Sequence, residues 1–151
     1  MKKERFKAIP ASYLVLIKDG KVLMQKRFNT GYEDGKYSLP AGHVDAGENF
    51  TQCVIREIKE EITIDLDVKD LKAVHMMHRN SGEGEIGNRI DVFFTADKWQ
   101  GEIKNNEPHK CDDLSWFELD NLPENTISYI KQAIDCIKNK IFYSERGWQK
   151  N

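Results

Sequence analysis

The chain is 151 residues long, enough for one domain with a real core and too short for two of ordinary size. Hydrophobic residues make up 39% and charged residues 32%, a balance that suits a water-soluble globular protein. A formal net charge of −2 gives no electrostatic case for duplex nucleic acid or an anionic membrane, so a phosphate-bearing ligand has to be drawn in by a local feature or a metal.

The opening segment MKKERFKAIP is positively charged but lacks the apolar stretch of a secretory signal. No later run approaches the roughly 18 apolar residues needed to span a bilayer. Ala11 to Ile17 is dense in β-forming residues, Lys18-Asp19-Gly20-Lys21 is a tight-turn signal, and Val22 to Arg27 returns, which predicts a hairpin. Residues 28–36 form a polar loop containing Gly31 and Gly35. In Tyr37-Ser38-Leu39-Pro40-Ala41-Gly42 the proline bars an ordinary central strand.

Residues 42–64, GHVDAGENFTQCVIREIKEEITI, organise the rest. Gly42 and Gly47 mark a loop, Glu48 stands where a helix should begin, and Arg56-Glu57-Ile58-Lys59-Glu60-Glu61 follows. At about 100° per residue, Glu57, Glu60 and Glu61 share one edge of the helix. Thr51, Val54, Ile55, Ile58 and Ile62 fill the adjoining arc as the buried stripe. A helix laid out for stability alone would alternate Glu with Lys at four-residue spacing, because three clustered carboxylates repel. The cluster makes sense beside a divalent cation, since Mg²⁺ takes hard oxygen ligands from carboxylates and substrate phosphates. Read without the flanking loop, the same run is an ordinary solvated helix face.

Downstream, Asp65 to Arg79 holds a strand at residues 71–78, on which His75 and His78 point to opposite faces and share no metal. Residues 81–88 are a glycine-bearing flexible connection. Arg89 to Ala96 is a strong strand that sends Phe93 and Phe94 to opposite sides. Residues 103–113 read as irregular and residues 114–117 as a short last strand, with Trp99 and Trp116 as packing residues. Asn121 to Asn125 introduces a second helix on which Ile127, Ile130, Ile134, Ile137 and Ile141 recur at helical spacing. Residues 142–151 are a polar tail expected to fray. Cys53, Cys111 and Cys136 are odd in number, far apart and without a CxxC pair, so free thiols in a cytoplasmic protein are expected. Strands before, between and after two helices suggest an α/β/α sandwich on a mixed β-sheet.

Gly42, Glu48, Arg56, Glu57, Glu60 and Glu61 stand at spacings that resemble the signature of the Nudix hydrolases, the family of the MutT-type enzymes. One position departs from it: Thr63 stands where the family has glycine, so a reshaped or longer helix end is expected. The resemblance implies the family's α/β fold over roughly residues 8–140, as one domain spanning 1–151. It implies an enzyme cutting a diphosphate linkage by water attack at phosphorus, assisted by Mg²⁺ or Mn²⁺. Glu57, Glu60 and Glu61, with the carbonyl of Gly42, would hold the metal. Glu57 could instead act on the water as base, Arg56 would brace the cluster, and Glu48 would be an outer salt-bridge partner of Arg56. Glu107, in a segment similar to the Glu-Pro-x-Lys-Cys stretch of triphosphate-directed members, would add a ligand or base. Arg27, His43 and Lys110 are the candidates for substrate contact.

The substrate implied first is a nucleoside triphosphate, including oxidised or non-standard (d)NTPs, cut to a monophosphate and pyrophosphate. The alternatives are another nucleoside diphosphate derivative (ADP-ribose, a nucleotide sugar or a dinucleoside polyphosphate) and a non-catalytic nucleotide-sensing module. The partner is then a small nucleotide rather than a nucleic-acid polymer or a membrane, and the oligomeric state is open between monomer and homodimer.

Overall fold

A computed structural model describes residues 2–82 and 87–148, and among these the chain forms nine strands and two α-helices. A five-stranded sheet runs in the order β5 (Ala41–His43), β1 (Ile9–Leu14), β7 (Asn88–Ala96), β6 (Leu71–Asn80) and β9 (Tyr143–Arg146). The pairs β1/β7 and β6/β9 are parallel, whereas β1/β5 and β6/β7 are antiparallel, so the sheet is mixed. A second, antiparallel sheet gathers β2 (Ile17–Lys18), β4 (Tyr37–Ser38) and β8 (Cys111–Glu118) around β3 (Lys21–Arg27). No helix among the described residues is long and apolar enough to cross a membrane.

Alternation along the strands makes two cores. Leu14, Leu16, Phe94 and Ala96 meet Val54, Ile58 and Ile62 of α1 (Phe50–Ile62) on one face. Tyr13, Val15, Met77 and Phe93 meet Ile130, Ala133 and Ile134 of α2 (Ser128–Lys138) on the other. Fully buried side chains such as Ile58 and Ile130 contribute about 1.5–3 kcal/mol each. An exposed ion pair on a helix is worth only a few tenths of a kcal/mol. Packing therefore sets where the helices sit, and the expected sandwich of helices about a mixed sheet is present.

Several boundaries differ from the sequence reading. The helix expected at Glu48 starts at Phe50, because Asn49 and Gln52 form a reciprocal capping box, with Oδ1 of Asn49 2.8 Å from the Gln52 amide and Oε1 of Gln52 2.9 Å from the Asn49 amide. The Ala11–Ile17 strand is split: β1 ends at Leu14, and only Ile17–Lys18 forms the hairpin with β3. Thr63 neither lengthens nor reshapes the helix. It adopts the left-handed conformation itself (φ 67°), and its hydroxyl donates to the Glu102 carbonyl at 2.7 Å, which offsets part of the cost of that backbone. The last strand of the second sheet is longer than expected, Cys111–Glu118.

The carboxyl end departs furthest. Ile127 caps α2 from outside, and Ile141 lies beyond the helix, 47% exposed. The tail expected to fray forms β9 beside β6, tied by a 2.7 Å bond from the Met76 amide to the Phe142 carbonyl. His75, buried, meets the Ile141 carbonyl through Nδ1 and the Ser144 hydroxyl through Nε2, both at 2.8 Å. Residues 83–86 of the predicted flexible connection and 149–151 of the tail lie outside the described residues.

Candidate active site

The two sheets and α1 enclose a cleft of about 760 Å³, within the usual size of a small-ligand site. Its acidic end is built by α1 against β5. Glu61, on the buried side of the helix, accepts from the Ala41 amide at 3.1 Å and from the Gln25 amide nitrogen at 3.3 Å, both through Oε2. Burial pushes its carboxyl well above the usual range, and the neighbouring Glu57 adds to the rise. Glu57 is raised too, first by burial, while Arg56 pulls it down and Glu60 and Glu107 push it up.

Arg56 braces this end. Its Nη1 lies 2.7 Å from Oε1 of Glu57 and 3.5 Å from Glu60, and its Nη2 lies 2.6 Å from Oε1 of Glu48. Nη2 also donates to the His43 carbonyl at 3.2 Å. Glu48 reaches back to the Asp45 amide at 2.8 Å, and the Arg56 guanidinium, helped by that amide, holds its carboxyl down at about 2. Glu48 thus sits outside the cleft with Arg56 between it and the other carboxylates.

Gly42 is where β5 passes under the helix. A Cβ there would fall on the Glu57 carboxyl, so only glycine leaves that group its place. The Gly42 carbonyl accepts from the buried Cys53 thiol at 3.4 Å. We expect Gly42→Ala to fold normally, since the displaced group is the end of a flexible side chain. It should lower kcat/KM on the order of tenfold, short of the ~10²-fold that ångström misplacement can reach. Unchanged kinetics would show that the position of Glu57 is immaterial.

From the opposite wall Glu107 lines the same cleft, with Nζ of Lys110 3.6 Å from its Oε2. Among the described residues no three acidic, histidine or cysteine side chains yet converge on one point. Glu57 is turned to Arg56 and Glu61 to the β5 amide, each held by a protein donor. The donor set nonetheless fits a hard divalent cation: carboxylate oxygens raised by burial and mutual repulsion, beside a backbone that only glycine can supply.

The remaining candidates also reach the cleft. His43 places Nε2 3.1 Å from Nη1 of Arg89, and burial, with Arg89, lowers its pKa. Arg27 is engaged by its own loop, donating to the Tyr32 carbonyl at 2.6 Å and the Thr30 hydroxyl at 3.0 Å. His75, His78, Phe93 and Phe94 do not line the cleft and serve packing. Sequence reasoning missed Gln25, Tyr32, Arg79, Arg89 and Tyr129, all on its walls. Gln25 was within reach, because it shares a face of β3 with Arg27 at period two. Arg89 and Asp91 likewise alternate in phase with the buried Phe93.

The chain as a whole is similar to known proteins. A family model described as the NUDIX domain matches residues 8–135. The ADP-ribose pyrophosphatase of Methanocaldococcus jannaschii is 32% identical over 142 residues, covering 93% of this chain and 80% of that protein. The NAD-capped RNA hydrolase NudC of Stutzerimonas stutzeri is 31% identical over 121 residues, and the match spans only 40% of its length. A crystal structure of a MutT NUDIX hydrolase from Burkholderia pseudomallei superposes with a TM-score of 0.76 at 28% identity, covering 85% of this chain and 97% of that one.

Proposed function

The chain belongs to the Nudix hydrolases and is a pyrophosphohydrolase, and from that premise we propose that it cleaves the diphosphate of a nucleoside diphosphate derivative of the ADP-ribose kind. The observation that carries the substrate class is the reach of the cleft. It runs from Glu57 and Glu61 over β5 and β1 to Arg79 on β6 and Tyr129 on α2, leaving room for a sizeable group beyond a diphosphate held at the carboxylates. The likeness to the M. jannaschii ADP-ribose pyrophosphatase over most of both chains supports the same reading.

In this reading Glu57, Glu60 and Glu61 hold Mg²⁺ or Mn²⁺, with the Gly42 carbonyl beside them. The bound ion would supply Lewis-acid charge neutralisation of the diphosphate. Arg56 keeps the Glu57 carboxylate aimed through its 2.7 Å bond, a charge-assisted contact anchored at the other end by Glu48. Glu107, with Glu57 among the metal carboxylates, takes the proton of the attacking water as its oxygen bonds to phosphorus and the anhydride P–O bond breaks. With ADP-ribose the products are AMP and ribose 5-phosphate.

A second reading, pyrophosphate release from a nucleoside triphosphate, is supported by the fit to the B. pseudomallei MutT structure and by Lys110 beside Glu107. Product analysis separates the two readings, using ADP-ribose, a nucleotide sugar, diadenosine polyphosphate, (d)NTPs and 8-oxo-dGTP, each with Mg²⁺ and with EDTA. Metal-dependent AMP from ADP-ribose, at a higher kcat/KM than any triphosphate, is expected. Metal-dependent pyrophosphate from triphosphates alone would overturn the first reading in favour of the second. Nucleotide binding with no turnover anywhere in the panel would indicate a sensing module.

A further inference from the structure

The far end of the cleft is built against electrostatic preference unless something negative binds there. Arg79 on β6 and Arg89 on β7 are direct cross-strand partners in the antiparallel pair, a placement that sets two like charges side by side. Among the described residues the one ion pair formed by these two arginines is that of Arg79 with Asp91. Asp91 is fully buried, and its Oδ2 accepts from Nε of Arg79 at 2.9 Å, while its Oδ1 has no partner. Nε of Arg89 is likewise buried and unpartnered. The only side-chain hydrogen bond of Arg89 among the described residues goes to a neutral acceptor, His43 Nε2, at 3.1 Å.

The guanidinium of Arg79 is fixed in place. Its face lies 3.7 Å over the Tyr129 ring and its Nε is taken by Asp91. Neither Nη has a hydrogen-bond partner among the described residues, although the residue is only 8% exposed and lines the cleft. Among the described residues, two cations against one buried anion leave a surplus positive charge, with Arg79 held rigidly by aromatic and carboxylate contacts. This mirrors the acidic end, where carboxylates stand in surplus.

Three strand spacings, about 14 Å, separate the backbones of β5 and β6. Arg89 shortens that span by leaning over β1 to His43, the residue after Gly42. A nucleotide whose diphosphate lies at the carboxylates would therefore extend its sugar toward the guanidinium pair. We infer that Arg79 and Arg89 form a second anion subsite, which selects nucleotides bearing a phosphoryl group on the ribose in addition to the scissile diphosphate. The inference rests on the proposed reading for where the diphosphate lies, but its binding chemistry does not.

Isothermal titration in EDTA reads the subsite alone, with AMP, adenosine 2′,5′-bisphosphate and adenosine 3′,5′-bisphosphate as probes at one fixed salt concentration. One bisphosphate should bind at least ~10-fold tighter than AMP, the scale of hydrogen bonds to charged groups, and which isomer wins locates the phosphate. Arg89→Gln should bring that ratio close to one, and so should Arg79→Lys, which keeps the charge but loses the planar fork. Equal affinities for AMP and both bisphosphates in the wild type would overturn the subsite. So would a preference that both variants retain. Failure of Mg²⁺-dependent hydrolysis across the substrate panel, with the binding preference intact, would overturn the catalytic reading and leave the subsite standing.

Discussion

Glu61→Gln is expected to lower kcat/KM at least ~100-fold in Mg²⁺, or about 2.7 kcal/mol of transition-state stabilisation, without loss of stability. The carboxylate is buried, with Oε2 committed to the Ala41 amide and Gln25 and Oε1 left without a protein partner among the described residues. A glutamine carbonyl still accepts from the Ala41 amide, so the strand-to-helix contact survives. What disappears is a charge that burial and Glu57 both oppose. A carboxyl whose native pKa is raised costs stability once the pH exceeds its unfolded value, and at neutral pH that cost is present. The urea midpoint of the variant should therefore match or exceed the wild type while turnover falls, the pattern of a charge kept for function. Near-normal turnover with Mg²⁺ would remove Glu61 from the metal-binding set. A lower urea midpoint accompanying the lost activity would reassign the effect to folding.

The reason this residue could be chosen from sequence is that its neighbourhood is local. The carboxylates, the apolar stripe of α1 and the glycine beneath Glu57 fall within twenty residues, where helical period and loop chemistry are legible. The switch of sheets after Leu14 was not legible. Leu14, Val15 and Leu16 are all fully buried, so the run is continuous and carries no alternation to mark the change. The ordered tail was hidden for a different reason: its residues are mostly polar and its aromatics Phe142, Tyr143 and Trp148 are exposed, so its order comes from His75 and Met76, more than sixty residues earlier. Arg79 and Arg89 were legible as charges but not as a pair, because their meeting depends on the register of two strands. The phase of Arg89 and Asp91 with Phe93 was the one available signal, since a charge in step with a core aromatic faces inward.

That inward pair carries the largest stability prediction. Arg79→Met should cost about 3–5 kcal/mol, the usual result of removing one partner of a buried ion pair, and lower Tm by about 10 °C for a chain of this size. Asp91 would be left buried with neither oxygen answered by Arg79, and Tyr129 would lose the cation over its ring. In the wild type, burial already pushes the Asp91 carboxyl up while Arg79 pulls it back. Without Arg79 the rise is larger, so the variant loses stability as pH climbs from the ordinary aspartate value near 3.9 through the raised native one. The gap to the wild type should accordingly be wider at pH 8 than at pH 5 in urea titrations. The double variant Arg79→Met, Asp91→Leu separates charge from packing, because it removes the stranded carboxylate while keeping the site filled. Recovery of most of the lost stability would assign the cost to the unpaired charge. If the double variant is as unstable as the single one, the loss is one of packing against Tyr129, and the ion pair is not what holds this end of the sheet.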